Sequence, residues 1–126
     1  MVQPYIEEIK NGELSIIVIE NEIMYGVRRF PGIFTSAKRL EYIAKDQLDK
    51  EIIEIINQIK NIKEYEGNSY YRLDIIKTNK EYQIIEIELL DPSLFIETIP
   101  NITYKRNVYD KLAKSIIKSI EKQARK

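Results

Sequence analysis

Apolar residues fall into short β-branched runs, which predict strands, and into longer segments with helical spacing, which predict helices. Residues 2–9 predict an extended segment. Residues 12–20 (GELSIIVIE) and 23–30 (IMYGVRRF) are β-branched runs with a short polar break between them, so they predict a hairpin. Residues 30–40 (FPGIFTSAKRL) contain proline and glycine and predict a loop.

Two segments have the apolar spacing of amphipathic helices. Residues 46–62 place apolar side chains at positions 48, 52, 55, 56, 59 and 62. A final helix is predicted over residues 108–124, with a buried stripe of Leu112, Ile116, Ile117 and Ile120. Residues 92–95 (PSLF) predict a short helical turn. The order β-β-β-α-β-β-α indicates an α+β fold, a mostly antiparallel sheet with two main helices packed on one face.

Residues 70–95 predict a second hairpin, which carries charged side chains among apolar ones. Alternation along a strand puts Arg72 and Asp74 on one face of the first strand. It also puts Glu86 and Glu88 on one face of the second strand. The opposite faces are apolar, with Tyr71, Leu73 and Ile75 on the first strand and Ile85, Ile87 and Leu89 on the second.

Burial of both apolar sets against one core restricts how the two strands pair. A three-residue turn at 79–81 places Asp74 opposite Glu86 and Arg72 opposite Glu88, as cross-strand neighbours about 5 Å apart. Like charges that face each other across a sheet repel, so this arrangement has two interpretations. Either Arg72 and nearby lysines compensate the carboxylates on a solvated face, or the carboxylates bind Mg²⁺, which prefers oxygen ligands together with phosphates.

Composition limits the chemistry that the chain can perform. Its 126 residues, 44% hydrophobic and 32% charged, predict one globular domain. With no cysteine and no histidine, there is no thiolate, disulfide or imidazole chemistry, and carboxylates, Arg, Lys, Tyr or hydroxyls must supply the reactive groups. No apolar run reaches the length of a membrane span and no secretion signal is evident, so we expect a cytoplasmic protein without a membrane partner. Enrichment in Lys and Glu without Cys fits a thermophile.

The net charge is zero, but it is unevenly distributed along the chain. Residues 101–126 contain eight Lys or Arg and two acidic residues. A terminal helix with one solvated basic face is the simpler interpretation of this excess. A nucleic-acid interface would require aromatic residues interleaved with the basic ones in a single footprint, and the helix offers little of that. We therefore expect no nucleic-acid partner.

Two segments together resemble the ATP-grasp superfamily. Residues 72–95 (RLDIIKTNKEYQIIEIELLDPSLF) resemble the end of that fold, where an Arg-x-Asp strand precedes a strand bearing Glu-x-Asn or Glu-x-Glu. Residues 2–32 (VQPYIEEIKNGELSIIVIENEIMYGVRRFPG) are similar to the part with the adenine hinge, a Gly-Glu for the ribose, a hairpin and a basic residue before proline. Their order and spacing match the superfamily over nearly the whole chain as far as Phe95.

The resemblance implies the carboxy-terminal lobe of a glutathione synthetase-like carboxylate–amine ligase. Residues 1–126 would form a single domain of that kind. Within it, residues 1–9 would be the hinge strand, 12–100 the sheet and its helix, and 101–126 a basic terminal helix.

By position, the resemblance also implies the residues that bind the nucleotide. The adenine edge would contact the backbone of Gln3, Pro4, Tyr5 and Ile6. Glu13 would accept the ribose hydroxyls. Arg29, or alternatively its neighbour Arg28, would lie near a phosphate or an acyl phosphate.

The remaining implied roles are catalytic and metal-binding. Arg72, with Arg29, would stabilise the transferred phosphoryl group. Asp74, Glu86 and Glu88 would hold Mg²⁺ ions that bridge the phosphates of ATP. In such enzymes ATP phosphorylates a carboxylate and an amine or another nucleophile then displaces phosphate, so the protein mainly positions groups and neutralises charge.

The implied cofactors are ATP and Mg²⁺, and the implied substrate is a small carboxylate. In the superfamily ATP lies between two lobes, and this sequence contains no counterpart of the first lobe, with its phosphate-binding lysines and glycine-rich loop. The resemblance therefore implies a chain that is inactive alone and that a partner chain with the missing lobe would complete. The alternative is a non-catalytic ATP-grasp-like remnant that acts as a protein-interaction module.

Overall fold

The computed structural model describes residues 12–30, 39–61, 70–78, 81–88 and 93–124. Along the chain these residues form β1 (Glu13–Ile19), β2 (Glu22–Phe30), β3 (Arg39–Ala44), a 3₁₀ turn (Lys45–Gln47), α1 (Lys50–Lys60), β4 (Tyr70–Thr78), β5 (Glu81–Glu88), a second 3₁₀ turn (Ile96–Thr98) and α2 (Ile102–Ala124). The strand predicted over residues 2–9 lies outside the described residues.

The five strands form one sheet in the order β3-β2-β1-β4-β5, and every neighbouring pair is antiparallel. The central strand β1 is buried on both faces, because its apolar residues follow one another without alternation. Leu14, Ile16 and Val18 point into one core, and Ile17 and Ile19 point into the other.

The two helices therefore cover opposite faces of the sheet. On one face α1 packs through Ile52, Ile56 and Ile59. On the other face Val108 of α2 packs with the residues around the second 3₁₀ turn, such as Ile96. The antiparallel α+β class is confirmed, but the expectation that both helices pack on one face is wrong. A strand with consecutive buried residues requires cover on both sides.

The first predicted hairpin is confirmed. β1 and β2 are joined by Glu20 and Asn21, which both have positive φ, 51° and 62°. Two consecutive left-handed residues form the tight turn that matches the twist of a two-stranded ribbon, and asparagine tolerates that conformation well.

The boundaries of the next elements differ from the prediction. The end of the predicted loop over residues 30–40 is wrong, since Arg39 and Leu40 belong to the edge strand β3, which pairs with β2. The predicted helix over 46–62 is confirmed but begins later, at Lys50, because Asp49 is extended (φ −63°, ψ 149°). A six-residue edge strand gives too short a pattern to distinguish it from a loop.

Helix α2 is confirmed, but it begins earlier than predicted and packs through a different face. It starts at Ile102, and the Asn101 side-chain oxygen accepts a hydrogen bond from the Tyr104 amide at 2.8 Å, as asparagine does at helix N-termini. The packed face comprises Tyr104, Val108, Leu112 and Ser115.

Of the predicted buried stripe of α2, only Leu112 packs on the core. Ile116, Ile117 and Ile120 are 38%, 56% and 60% exposed, so the prediction that these three isoleucines are buried is wrong. Among the described residues, no helix is long and apolar enough to span a membrane.

The short helical turn predicted over residues 92–95 is also displaced. Ser93, Leu94 and Phe95 are not helical, and the 3₁₀ turn follows them at Ile96–Thr98. Phe95 has a positive φ of 54° immediately before that turn.

Candidate functional site

The pairing of β4 with β5 brings four charged residues to one face of the sheet. Arg72 lies opposite Glu88 and Asp74 lies opposite Glu86, as predicted. The predicted three-residue turn is wrong, however, because Glu81 is paired with Thr78 within the ladder. A bulge after Asp74 compensates, since it shifts the register by one residue between the charged pairs and the turn.

The bulge changes which residues of β5 face the core. Ile75 pairs with Ile84, and both Ile84 and Ile85 are about half exposed, at 49% and 50%. The prediction that Ile85 faces the core is therefore wrong, whereas Ile87 is partly buried against the α1 core. Leu89 lies outside the described residues. β5 is an edge strand, which explains why its apolar residues are incompletely covered.

Asp74 is the buried centre of the charged face, with 2% of its surface exposed. The Arg72 guanidinium donates to both of its carboxylate oxygens, from Nε to Oδ1 and from Nη2 to Oδ2, each at 2.9 Å. The Ser15 hydroxyl donates to Oδ1 at 2.7 Å. Charge-assisted, two-pronged contacts of this kind are the strong hydrogen bonds of proteins.

A second arginine reaches Asp74 from the other side of β1. Arg29 Nη2 lies 3.3 Å from Asp74 Oδ2 and donates to Glu13 Oε2 at 2.8 Å. Strand register explains the meeting, because Glu13 pairs with Arg29 across β1 and β2 while Ser15 pairs with Asp74 across β1 and β4. The structure thus brings four of the predicted site residues together, Glu13, Arg29, Arg72 and Asp74, which we call the arginine–carboxylate cluster.

Two residues of this site were missed by the sequence analysis. Ser15 was detectable in principle, because it is the polar residue inside the apolar run LSIIVI. Phe95 lies with its ring under both guanidiniums, 5.7 Å from Arg29 Cζ and 5.5 Å from Arg72 Cζ. No local pattern signals that contact.

The charges of the site are unevenly compensated. The cluster balances two arginines against two carboxylates, so buried Asp74 has cationic partners, as buried charges require. On β5 the situation differs. The pKa of Glu86 is raised by a hydrogen bond with the Glu88 carboxyl and by the negative charge of Glu88. The charge of Asp74 raises it further, whereas Arg72 lowers it. Negative charge is therefore in excess at the exposed edge of the site.

The donor set fits a hard cation, although the carboxylates are not gathered as metal ligands. No group of three His, Cys, Asp or Glu side chains within the described ranges forms a candidate metal site. Asp74 already accepts hydrogen bonds from Ser15 and Arg72 and forms an ion pair with Arg29. The repulsion between Glu86 and Glu88 is nevertheless the kind that a divalent cation relieves, and carboxylate oxygens are its preferred protein ligands.

The other predicted nucleotide-binding residues are not part of the cluster. Arg28 precedes Arg29 on β2, so its side chain points to the opposite face of the sheet. There its Nη1 lies 3.9 Å from Glu41 Oε1. Gln3, Pro4, Tyr5 and Ile6 lie outside the described residues.

The sequence matches a known protein family. Residues 1–103 match the ATP-grasp domain of prokaryotic glutathione synthetase. The match ends near the start of α2 and contains every residue of the cluster. A search of curated proteins gives no match.

Solved structures show the same fold. D-alanine–D-alanine ligase from Bacillus anthracis, complexed with ATP, has a TM-score of 0.57 and 16% identity, and the match covers 90% of this chain and 40% of that one. The ATP-grasp ligase PsnB, complexed with a precursor peptide and AMPPNP, has a TM-score of 0.52 and 15% identity, with 82% of this chain and 32% of that chain covered. The chain thus spans well under half the length of these ligases, and at such identities the likeness concerns the fold alone.

Proposed function

Because the chain belongs to the prokaryotic glutathione synthetase ATP-grasp family, we propose that it forms the carboxy-terminal ATP-binding lobe of a carboxylate–amine ligase. The face that carries the arginine–carboxylate cluster would receive the phosphates of Mg-ATP. One observation supports this most strongly. Arg29 and Arg72, on the two strands that flank β1, converge on one buried carboxylate, Asp74. Two guanidiniums aimed at one point suit a polyanion.

The charge balance of the cluster supports joint binding of nucleotide and metal. Phosphate oxygens would compete with Asp74 and Glu13 for the arginines. Withdrawal of both arginines would leave Asp74 buried and uncompensated, which is costly unless another cation replaces them. Mg²⁺ held by Asp74, Glu86 and Glu88 would supply that charge and would neutralise the phosphate oxygens. The arginines and the metal would thus exchange anionic partners.

The proposed roles of the protein groups follow from their positions. Arg72 and Arg29 would stabilise the negative charge of the transferred phosphoryl group, and fixed cations of this kind lower the barrier without forming covalent bonds. Glu13 would accept the ribose hydroxyls. The backbone of residues 3–6 would contact the adenine.

In the proposed reaction a carboxylate oxygen of a small substrate attacks the γ-phosphorus of ATP, and the bond to the ADP oxygen breaks. An amine nitrogen then attacks the carbonyl carbon of the acyl phosphate. The carbon–oxygen bond to phosphate breaks, inorganic phosphate leaves and the amine loses a proton. The chain's own contribution is to hold charge in place during the first of these steps.

Matched arginine-to-lysine variants test the proposal by calorimetric titration with Mg-ATP. Arg72→Lys keeps the charge but loses the planar two-pronged contact, so we expect Mg-ATP to bind about tenfold more weakly. Arg106→Lys, on the exposed surface of α2, should bind as the unmodified chain does. Arg28→Lys tests the alternative arginine and should also have little effect. Equal weakening in all three variants would contradict a site centred on Arg72.

A second candidate is a non-catalytic ATP-grasp module that serves a protein partner. The exposed isoleucines of α2, with Ile120 at 60% and Ile117 at 56%, favour it. On this alternative the arginine–carboxylate cluster is purely structural. Mg-ATP would then give no heat with the unmodified chain, although Asp74 variants would still unfold more easily.

A further inference from the structure

The two arginines of the cluster share one aromatic neighbour. Arg72 Cζ lies 5.5 Å and Arg29 Cζ 5.7 Å from the centroid of the Phe95 ring. Both guanidiniums are over the ring, and their side chains are only 12% and 17% exposed. The face of an aromatic ring is negative, so it attracts a cation at this distance, and more strongly when water is excluded.

Phe95 is held in place by contacts on both sides of it along the chain. The buried Tyr25 hydroxyl donates to the Leu94 carbonyl at 2.7 Å. The Phe95 carbonyl accepts from the Thr98 hydroxyl at 2.7 Å and from the Thr98 amide at 3.0 Å. These bonds hold Phe95 at φ 54°, a left-handed conformation that a bulky residue adopts only where its surroundings enforce it.

The ring supplies orientation that the hydrogen bonds alone do not. Arg29 Nε is buried and has no hydrogen-bond partner within the described part of the chain. Its guanidinium is bonded to Glu13 and lies near Asp74 through Nη2, so contact with the Phe95 ring restricts its rotation. The Arg72 guanidinium has more hydrogen bonds than that of Arg29, because its Nη1 also donates to the Ser93 carbonyl at 3.2 Å. Ser93 lies two residues before Phe95.

We propose that Phe95 is a positioning residue that keeps the Arg29 and Arg72 guanidiniums side by side and facing the phosphate position. This inference rests on the proposed function for the identity of the anion. Two like charges side by side repel, and Asp74 and the ring together offset that repulsion. When phosphate draws the arginines away from Asp74, the ring remains as the contact that keeps them paired.

The test compares Phe95→Leu, which keeps an apolar side chain but removes the π face, with Phe95→Tyr, which keeps the ring. Side-chain NMR of the ¹⁵N-arginine-labelled chain reports the environment directly. We expect ring-current shifts of the Arg29 and Arg72 side-chain protons in the unmodified chain and in Phe95→Tyr, and their loss in Phe95→Leu. Mg-ATP should bind about tenfold more weakly to Phe95→Leu and nearly normally to Phe95→Tyr.

The two measurements separate failure of the inference from failure of the proposed function. Absence of ring-current shifts in the unmodified chain would overturn the positioning role, even if Phe95→Leu did not fold. Unchanged Mg-ATP affinity in a folded Phe95→Leu variant would overturn it as well. If the unmodified chain showed the shifts but bound no Mg-ATP, the proposed function would fail, and the contact of the ring with both arginines would stand.

Discussion

Arg72 and Asp74 lie two residues apart on β4 and form a two-pronged ion pair, with both hydrogen bonds at 2.9 Å. The pair is almost completely buried, at 12% and 3% side-chain exposure. Asp74 also accepts a hydrogen bond from the Ser15 hydroxyl and forms an ion pair with Arg29, so one carboxylate links three adjacent strands. We therefore expect both the stability of the chain and the proposed ligand binding to depend on Asp74.

Removal of the Asp74 carboxylate should strongly destabilise the fold. Asp74→Ala leaves two largely buried guanidiniums and the Ser15 hydroxyl without their shared acceptor. We expect the free energy of unfolding in urea to fall by about 3 kcal/mol. The exposed pair Asp110–Lys114, at 3.6 Å, offers a control, and Asp110→Ala should cost less than about 0.5 kcal/mol. If Asp74→Ala left stability unchanged or raised it, repulsion from Glu86 would outweigh the ion pairs.

Two buried tyrosines should respond in opposite ways to loss of their hydroxyl. Tyr25 donates to the Leu94 carbonyl at 2.7 Å, whereas the Tyr71 hydroxyl has no partner among the described residues. Tyr25→Phe should therefore lower the free energy of unfolding by about 1 kcal/mol, and Tyr71→Phe should leave it unchanged or raise it by up to about 1 kcal/mol. Urea unfolding at pH 7 measures both. A larger loss for Tyr71→Phe than for Tyr25→Phe would contradict these contacts.

Alkaline pH should destabilise the fold. Burial raises the pKa of Tyr71 to about 12, and burial with the nearby Asp49 raises the pKa of Tyr82 to about 12. An unfolded tyrosine has a pKa of about 10. Below that value both tyrosines are protonated in the folded and the unfolded state, so they add no pH dependence to the stability. Between about pH 10 and 12 the unfolded state loses the proton first, so stability falls by up to about 1.4 kcal/mol per pH unit for buried Tyr71. The fall is smaller for Tyr82, because it is only partly buried and solvent screens its charge.

Urea midpoints between pH 8 and 11, with tyrosinate absorbance as a second signal, measure this alkaline loss. Tyr71→Phe should flatten the decline, since it removes one of the shifted groups. A midpoint that stayed constant from pH 9 to 11 would be inconsistent with the raised pKa values.

The packing of α2 predicts which of its apolar residues matter. Val108 is fully buried against the sheet, whereas Ile117 is 56% exposed. Val108→Ala should lower the free energy of unfolding by about 2 kcal/mol, because it opens a cavity. Ile117→Ala removes a larger side chain but should cost less than about 0.5 kcal/mol. The reverse order in thermal or urea unfolding would mean that the isoleucine stripe is the packed face.

Alternation and burial predicted the positions of Arg72, Asp74, Glu86 and Glu88, because a strand with one apolar face has few acceptable registers. The same reasoning did not predict the bulge after Asp74, because the bulge preserves those pairs and shifts only the pairing between Asp74 and the turn. It is the reason that Ile85 is exposed.

Other features depend on contacts between distant parts of the chain. The sequence analysis placed both helices on one face, although the continuous apolar run of β1 requires cover on both faces. Which helix covers which face is a tertiary outcome. Helix α2 has two apolar faces. Only its packing against the sheet determines that Val108 is buried and Ile117 is exposed. Phe95 and Arg29 lie about half the length of the sequence apart, so their contact leaves no local signal.

On the proposed function, the arginine–carboxylate cluster exchanges ion partners when Mg²⁺ and ATP bind together. Calorimetric titration of the unmodified chain with ATP, in excess Mg²⁺ and then in EDTA, tests it most directly. We predict that ATP binds at least about tenfold more tightly with Mg²⁺, because the metal compensates Asp74 when the arginines turn to phosphate. Equal affinity in the two conditions, or no binding in either, would contradict the claim.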